Sequence, residues 1–171
     1  IFDTEAFSLA AKKVVDKMAE WKKDYQFEAT VLNLGGGFGI RYTEEDTPLE
    51  PAVYVDDMIQ AVKKEAAEFG IELPEIWIEP GRSLVGDAGT TLYTIGSHKT
   101  VPNVREYIAI DGGMSDNIRP ALYDAKYEAV IANKATAALT KTYTVAGKLC
   151  ESGDKIIETI ALPEAETGDI L

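Results

Sequence analysis

Cysteine and histidine are nearly missing from this chain, which holds one of each, Cys150 and His98, in 171 residues. A single cysteine cannot close an internal disulfide, which suits a reducing compartment, and a cytoplasmic location is expected. One cysteine and one histidine also fall short of a zinc ligand set, so no metal is expected. Basic charge is scarce as well. Lys and Arg total 17 against 29 Asp and Glu, a net charge of −12, which leaves no basic patch for phosphates and argues against a nucleic-acid partner. No apolar run approaches the ~20 residues that cross a bilayer, so no membrane partner is expected. Ile1 to Leu9 contains Asp3 and Glu5 and no basic residue, and does not read as a signal peptide. Internal repeats and low-complexity segments are absent too. What is present is ordinary globular composition, nearly half of it apolar, in a length that suits one domain or two small ones.

The first part of the chain alternates helix and strand signals. Asp3 or Thr4 can cap a helix. Phe7, Ala11, Val14, Met18 and Trp21 then recur at helical spacing. Thr30 to Leu34 is a short apolar run ending in Gly35-Gly36-Gly37-Phe38-Gly39. Pro51 suits a helix start, Val55, Met58, Ile59, Val62, Ala66 and Phe69 mark the helix, and Gly70 suits its end. Glu75 to Glu79 reads as a second strand, stopped by Pro80-Gly81. Helix–strand–helix–strand order predicts an α/β unit with parallel strands over residues 1–88. From about Asp87 the pattern becomes β-rich. Thr90 to Ile95, Glu106 to Ile110, Glu128 to Ala132, Lys141 to Ala146 and Lys155 to Ile160 read as strands, with one possible helical turn at Ala121 to Tyr123. An antiparallel sheet or barrel is expected over residues 89–171. Ile1 stands where a helix starts almost at once, and Thr167 to Leu171 reads as a turn into a strand. The expectation is a piece of a longer protein.

Four segments carry chemistry-bearing residues. Gly35-Gly36-Gly37, after a strand, lets backbone N–H groups approach an anion with no Cβ in the way. It reads as a phosphate cradle or as a plain tight turn; the G-x-G-x-x-G spacing that opens a helix is not met. Glu79-Pro80-Gly81-Arg82 places a carboxylate and a guanidinium at the end of the next strand, where barrel enzymes gather catalytic groups. Asp111-Gly112-Gly113-Met114 leads to Arg119 and Tyr123, four apart and on one face of a helical turn, where Arg can grip a carboxylate and Tyr can add a hydroxyl. Gly147 to Asp154 carries Cys150 and Glu151 in a polar loop, which favours an exposed thiol able to act as an acid over a buried small hydrophobe.

LNLGGGFGI, EPGRS, DGGMSDNIRPALYDA and LCESGD, in this order across nearly the whole chain, resemble the motifs of the fold-type III pyridoxal-phosphate decarboxylases, most closely of the members that act on meso-2,6-diaminopimelate. The resemblance implies the last strands and helices of a (β/α)8 barrel followed by a β-domain, both incomplete, since a whole barrel takes roughly 250 residues. It implies pyridoxal 5′-phosphate as cofactor, its phosphate held by the backbone of Gly35, Gly36, Gly37 and Gly81, with Arg82 beside it and Glu79 facing the pyridinium nitrogen. Arg82, Arg119 and Tyr123 would bind an amino-acid substrate's polar groups, Glu151 would pair with a substrate ammonium, and Cys150 would donate the proton that replaces the departing carboxylate. The Cys-Glu loop would serve the partner subunit's site, which implies a homodimer with shared active sites.

Two departures stand out. The family usually has proline where this chain has Lys148, so the path into the Cys150 loop is expected to differ. The lysine that bonds the cofactor, the histidine that stacks on it and a C-terminal tyrosine have no counterparts in these 171 residues. The reaction implied for the parent enzyme converts meso-2,6-diaminopimelate to L-lysine and CO2. Relatives acting on ornithine, arginine or a carboxynorspermidine-type polyamine carry other residues around the pocket, and Arg119 with Tyr123 favours a substrate with a second carboxylate. A non-catalytic homologue is the remaining reading. Covalent catalysis needs the missing lysine, so the 171-residue chain alone is expected to release no CO2 from diaminopimelate, and turnover by the chain freed of host enzyme would overturn this.

Overall fold

The computed structural model describes residues 1–171, which form two compact units, Ile1–Gly89 and Thr90–Leu171. In the first, α1 (Glu5–Tyr25), β1 (Val31–Asn33), α2 (Pro51–Phe69) and β2 (Glu75–Trp77) follow in that order, and β1 pairs with β2 in parallel. Asp3 starts α1: its Oδ1 accepts from the Glu5 and Ala6 amides at 3.1 and 3.4 Å, satisfying donors that a helix start otherwise leaves open. Pro51 stands in the first turn of α2 and Gly70 ends it at φ +64°. The buried face of α1 is Phe7, Ala11, Val15 and Met18. Val14 and Trp21, expected on that face, are exposed, because the stripe advances by four residues from Ala11 to Val15. On α2 the buried residues are Tyr54, Met58, Val62, Glu65 and Ala66. Phe69, expected inside, is exposed. Glu65 is buried only because Lys12 of α1 donates to it at 2.8 Å.

Two apolar clusters hold this unit. Ala11, Val15, Met18, Leu32 and Val62 join the helices to β1. Phe7, Phe38, Tyr54 and Met58 form the second. There Phe38 stacks on Tyr54 at 5.2 Å between centroids, with Phe7 against both rings. The one large side chain of the glycine-rich segment is thereby fixed to both helices, and the glycines on either side of it are fixed with it.

The second unit is a four-stranded sheet in the order β3 (Ile95–Val101), β4 (Arg105–Ile110), β5 (Lys141–Ala146), β6 (Lys155–Leu162). The sheet is mixed, not antiparallel as expected, because β4 and β5 run parallel. Parallel neighbours need a crossover of a dozen residues or more. Here the crossover is the chain between Ile110 and Lys141, which includes a short helix, Arg119–Tyr123, and a 3-10 turn, Ala132–Lys134. The strand expected at Glu128 to Ala132 is missing. Its alternation is real, since Tyr127, Ala129 and Ile131 turn inward while Glu128, Val130 and Ala132 are exposed, but the segment lies on the core without pairing. The strand expected at Thr90 to Ile95 starts only at Ile95. Before it Thr94 makes a single bridge to Ile170. The core joins Ile95, Ile108, Ile110, Tyr143, Val145, Ile156, Ile157 and Leu162 from the sheet to Ile131 and Leu171.

Asp169, 5% exposed, closes this unit at its end. Its carboxylate accepts from Asn133 Nδ2 at 2.7 Å and the Glu166 amide at 2.8 Å, and pairs with Lys134 Nζ at 2.8 Å. Burial opposes its charge, but the bonds from Lys134, Asn133 and the Glu166 amide outweigh burial and bring its pKa down from 3.8 to about 2. A carboxyl depressed on folding stabilises above its unfolded pKa and loses that contribution as pH falls through the folded value. The urea midpoint of the chain is therefore expected to fall between about pH 4 and pH 2 by more than that of Asp169→Asn, and parallel curves for the two would refute the assignment.

Candidate functional site

In the first unit β1 and β2 are parallel neighbours, so the segments that follow them leave the pair at the same end. Two bonds join these segments and a third shapes the first of them. Asn33 Oδ1 accepts from the Gly35 amide at 2.9 Å, Asn33 Nδ2 donates to Glu79 Oε1 at 2.8 Å, and the Glu79 amide donates to the Gly35 carbonyl at 2.7 Å. Gly35 sits at φ +73°, a backbone conformation that L side chains rarely adopt. Gly36 is held for a different reason. A Cβ there would lie 2.5 Å from the backbone of Glu79 and Pro80, so the closeness of the two segments requires glycine. A Cβ at Gly35 or Gly81 would meet nothing within 4 Å. Beside them Arg82 Nη1 donates to the Tyr42 hydroxyl at 2.9 Å and its guanidinium lies 5.8 Å from that ring's centroid. The Ser83 hydroxyl is buried without a partner.

The result is a stretch of main chain with open space over Gly35 and Gly81, a cation at its side, and no intramolecular acceptor for the Gly36, Gly37 and Gly81 N–H groups. Open glycine backbone with free N–H donors is what a phosphate monoester needs. A carboxylate, Glu79, stands in the same loop pair, anchored by Asn33. The residues present thus fit a phosphorylated cofactor that also carries a basic ring nitrogen.

In the second unit two loops leave the parallel pair β4 and β5. The first, from Asp111, carries Arg119 and Tyr123. The second, Gly147 to Asp154, carries Cys150 and Glu151. Beyond the last ladder pair, Ala109 with Ala146, the Lys148 amide donates to the Gly112 carbonyl at 2.9 Å and the Gly147 amide to the Asp154 carbonyl at 2.8 Å. A proline at position 148 has no N–H and could not make the first of these bonds. Asp154, 3% exposed, accepts with Oδ1 from the Met114 amide at 2.6 Å and with Oδ2 from the Leu149 amide at 2.8 Å. A Cβ at Gly113 or Gly147 would run into this carboxylate.

Around it, Asp116 Oδ2 accepts from the Gly113 amide and Asn117 Oδ1 from the Arg119 amide, at 2.9 and 3.3 Å. Arg119 Nη1 donates to the Tyr127 hydroxyl at 3.3 Å. Tyr123 is mostly exposed, and so are Cys150 and Glu151. The Glu151 carboxylate accepts from the Ser152 hydroxyl and the Gly153 amide at 3.3 and 3.2 Å, which gives the loop a local turn. Tyr93 packs where a Cβ of Gly112 would be. Burial, then the charges of Asp116 and Asp111, raises its pKa, so it stays a neutral phenol.

Each expected residue thus lies in one of two constellations: Gly35, Gly36, Gly37, Glu79, Gly81 and Arg82 in the first unit, Arg119, Tyr123, Cys150 and Glu151 in the second. Sequence reasoning passed over Asn33, Tyr42, Tyr127 and Asp154. For Asp154 a signal existed: an acid between Gly153 and a strand, in a loop opened by Gly147.

Residues 8–171 match the family model described as pyridoxal-dependent decarboxylase, C-terminal sheet domain. The diaminopimelate decarboxylases of Bacillus subtilis and Bacillus methanolicus are each 63% identical over the whole chain, which covers 39% and 40% of their lengths. The chain therefore spans about two fifths of the curated relatives it matches. Among solved structures, diaminopimelate decarboxylase from M. jannaschii in co-complex with L-lysine is 32% identical with a TM-score of 0.81, over 99% of this chain and 38% of that one.

Two neighbouring glycines give a contrast. Gly36→Ala, which forces backbone apart, is expected to cost about 1–3 kcal/mol. Gly37→Ala, whose Cβ would meet only one side-chain atom at 3.9 Å, should stay within about 0.5 kcal/mol. Equal shifts in the thermal midpoints of the two variants would contradict this account of the loops.

Proposed function

Because the chain belongs to the pyridoxal-dependent decarboxylases, we propose that it is the part of a diaminopimelate decarboxylase that supplies one side of the cofactor site and the groups that bind and protonate the substrate. The parent reaction is meso-2,6-diaminopimelate to L-lysine and CO2. The observation that carries the reading is the pair of loops after β1 and β2, tied by Asn33 and Glu79 and presenting unpaired glycine N–H groups to open space.

Gly36, Gly37 and Gly81 would hold the phosphate of pyridoxal 5′-phosphate through their main-chain N–H groups, with Arg82 adding a positive charge, while Gly35, whose N–H is given to Asn33 Oδ1, shapes the turn. Glu79, kept in place by Asn33, would keep the ring nitrogen protonated. When bound, the cofactor draws off the electron pair that the departing CO2 leaves on the substrate carbon. The remaining work belongs to side chains of this protein. Arg119 grips the carboxylate of the substrate that is not lost, Tyr123 adds a hydroxyl to that grip, and Glu151 neutralises an ammonium group. Cys150 Sγ gives up its proton to the carbon that has lost CO2, so one C–C bond is replaced by one C–H bond and the thiolate regains a proton from water.

The exposed loop of Cys150 and Glu151 is suited to serve the partner subunit of a homodimer. In the full-length enzyme Cys150→Ala is expected to lower kcat by about a hundredfold or more with little change in cofactor absorbance, while activity on diaminopimelate exceeds that on ornithine. Near-normal kcat would remove Cys150 from the mechanism, and a preference for ornithine would change the substrate.

A further inference from the structure

We propose that Asp154 is a positioning residue whose carboxylate locks the loop bearing Cys150 and Glu151 to the segment leading to Arg119, so that the proton donor and the substrate grip are set as one unit. The inference rests on the roles proposed above for those three residues. Its physical basis is independent of them.

The sheet ladder between β4 and β5 ends at Ala109 and Ala146. Past that point one backbone bond, Lys148 N–H to the Gly112 carbonyl, still joins the two segments, and Asp154 adds a bond to each: Met114 N–H to Oδ1 and Leu149 N–H to Oδ2. Leu149 immediately precedes Cys150, so the second bond fixes the thiol's own backbone to within one residue. The chemistry requires a carboxylate. Both oxygens accept, whereas asparagine offers one oxygen and turns an NH2 group toward the other N–H, leaving two donors face to face. Burial makes the loss of either bond costly. The space requires small neighbours, because a Cβ at Gly113 or at Gly147 would overlap the carboxylate. Two glycines and one buried acid, drawn from both loops, thus form a single device whose only contacts with the proposed site residues run through the backbone.

The test uses the full-length enzyme and the Asp154→Asn variant, with Asp169→Asn as a control that weakens the same unit away from the loop. Hydrogen exchange at the Met114 and Leu149 amides and alkylation of Cys150 by iodoacetamide are read without substrate, then kcat and KM with diaminopimelate. Asp154→Asn is expected to speed exchange at both amides at least tenfold. It should also change the alkylation rate more than threefold, and lower kcat/KM at least tenfold through both constants, with Asp169→Asn unchanged in alkylation and KM. If Asp154→Asn does not fold, Gly147→Ala, which keeps the carboxylate and crowds it with one methyl, is read in the same way. Unchanged exchange at the two amides overturns the proposal. So does faster exchange with alkylation and KM no different from Asp169→Asn, since that is a purely structural role. Absence of turnover in the unaltered enzyme, or normal kcat in Cys150→Ala, strikes the functional reading instead, and exchange and alkylation then decide the lock alone.

Discussion

A buried carboxylate whose partners are backbone amides binds two stretches of chain as firmly as a ladder does, but at a place where no ladder can reach. Asp154 does this at the end of β4 and β5, where the hydrogen bonds between strands stop and the segments bearing Arg119 and Cys150 begin. The neighbouring glycines, Gly113 and Gly147, follow from having to bring backbone close to that one group. Without it the bond from the Lys148 amide to the Gly112 carbonyl would be left to join the two segments beyond the ladder.

The first unit solves a similar problem by other means. There the two loops meet main chain to main chain, Gly36 against Glu79 and Pro80, and Asn33 bridges them with both ends of its amide. Phe38 supplies the anchor, since its stacking on Tyr54 commits a glycine segment that has little conformational preference of its own to one position against α2. In one unit charge holds the site elements. In the other, shape does.

Much of this was legible before any coordinates. Pro51 and Gly70 bounded α2 because proline and glycine act locally, through fixed φ and through freedom at positive φ. The close approach of the glycine-rich and EPGR segments is consistent with their glycine content, since Gly36 leaves room for the backbone of Glu79 and Pro80. What the sequence did not show were matters of pairing. Tyr127 to Ala132 alternates like a strand yet joins no sheet, because alternation records which side is buried and not whether a neighbour completes the ladder. The parallel sense of β4 and β5 was hidden for the same reason. Val14 and Val15 both fall close to one helical stripe, and only the partner helix decides between them. Asp154 carries a positional signal, an acid between Gly153 and a strand, but its burial and its donors show only in the fold.

The crossover between Ile110 and Lys141 joins parallel neighbours, so the β4–β5 ladder pairs residues far apart in sequence: Glu106 meets Tyr143 and Ala109 meets Ala146. Contacts of that range carry a loop-closure entropy that must be met before they stabilise anything. The loop being closed is the one that carries Arg119 and Tyr123. The centre of the sheet therefore forms only with that loop closed, so the segment proposed to recognise substrate is tied to the sheet's own pairing.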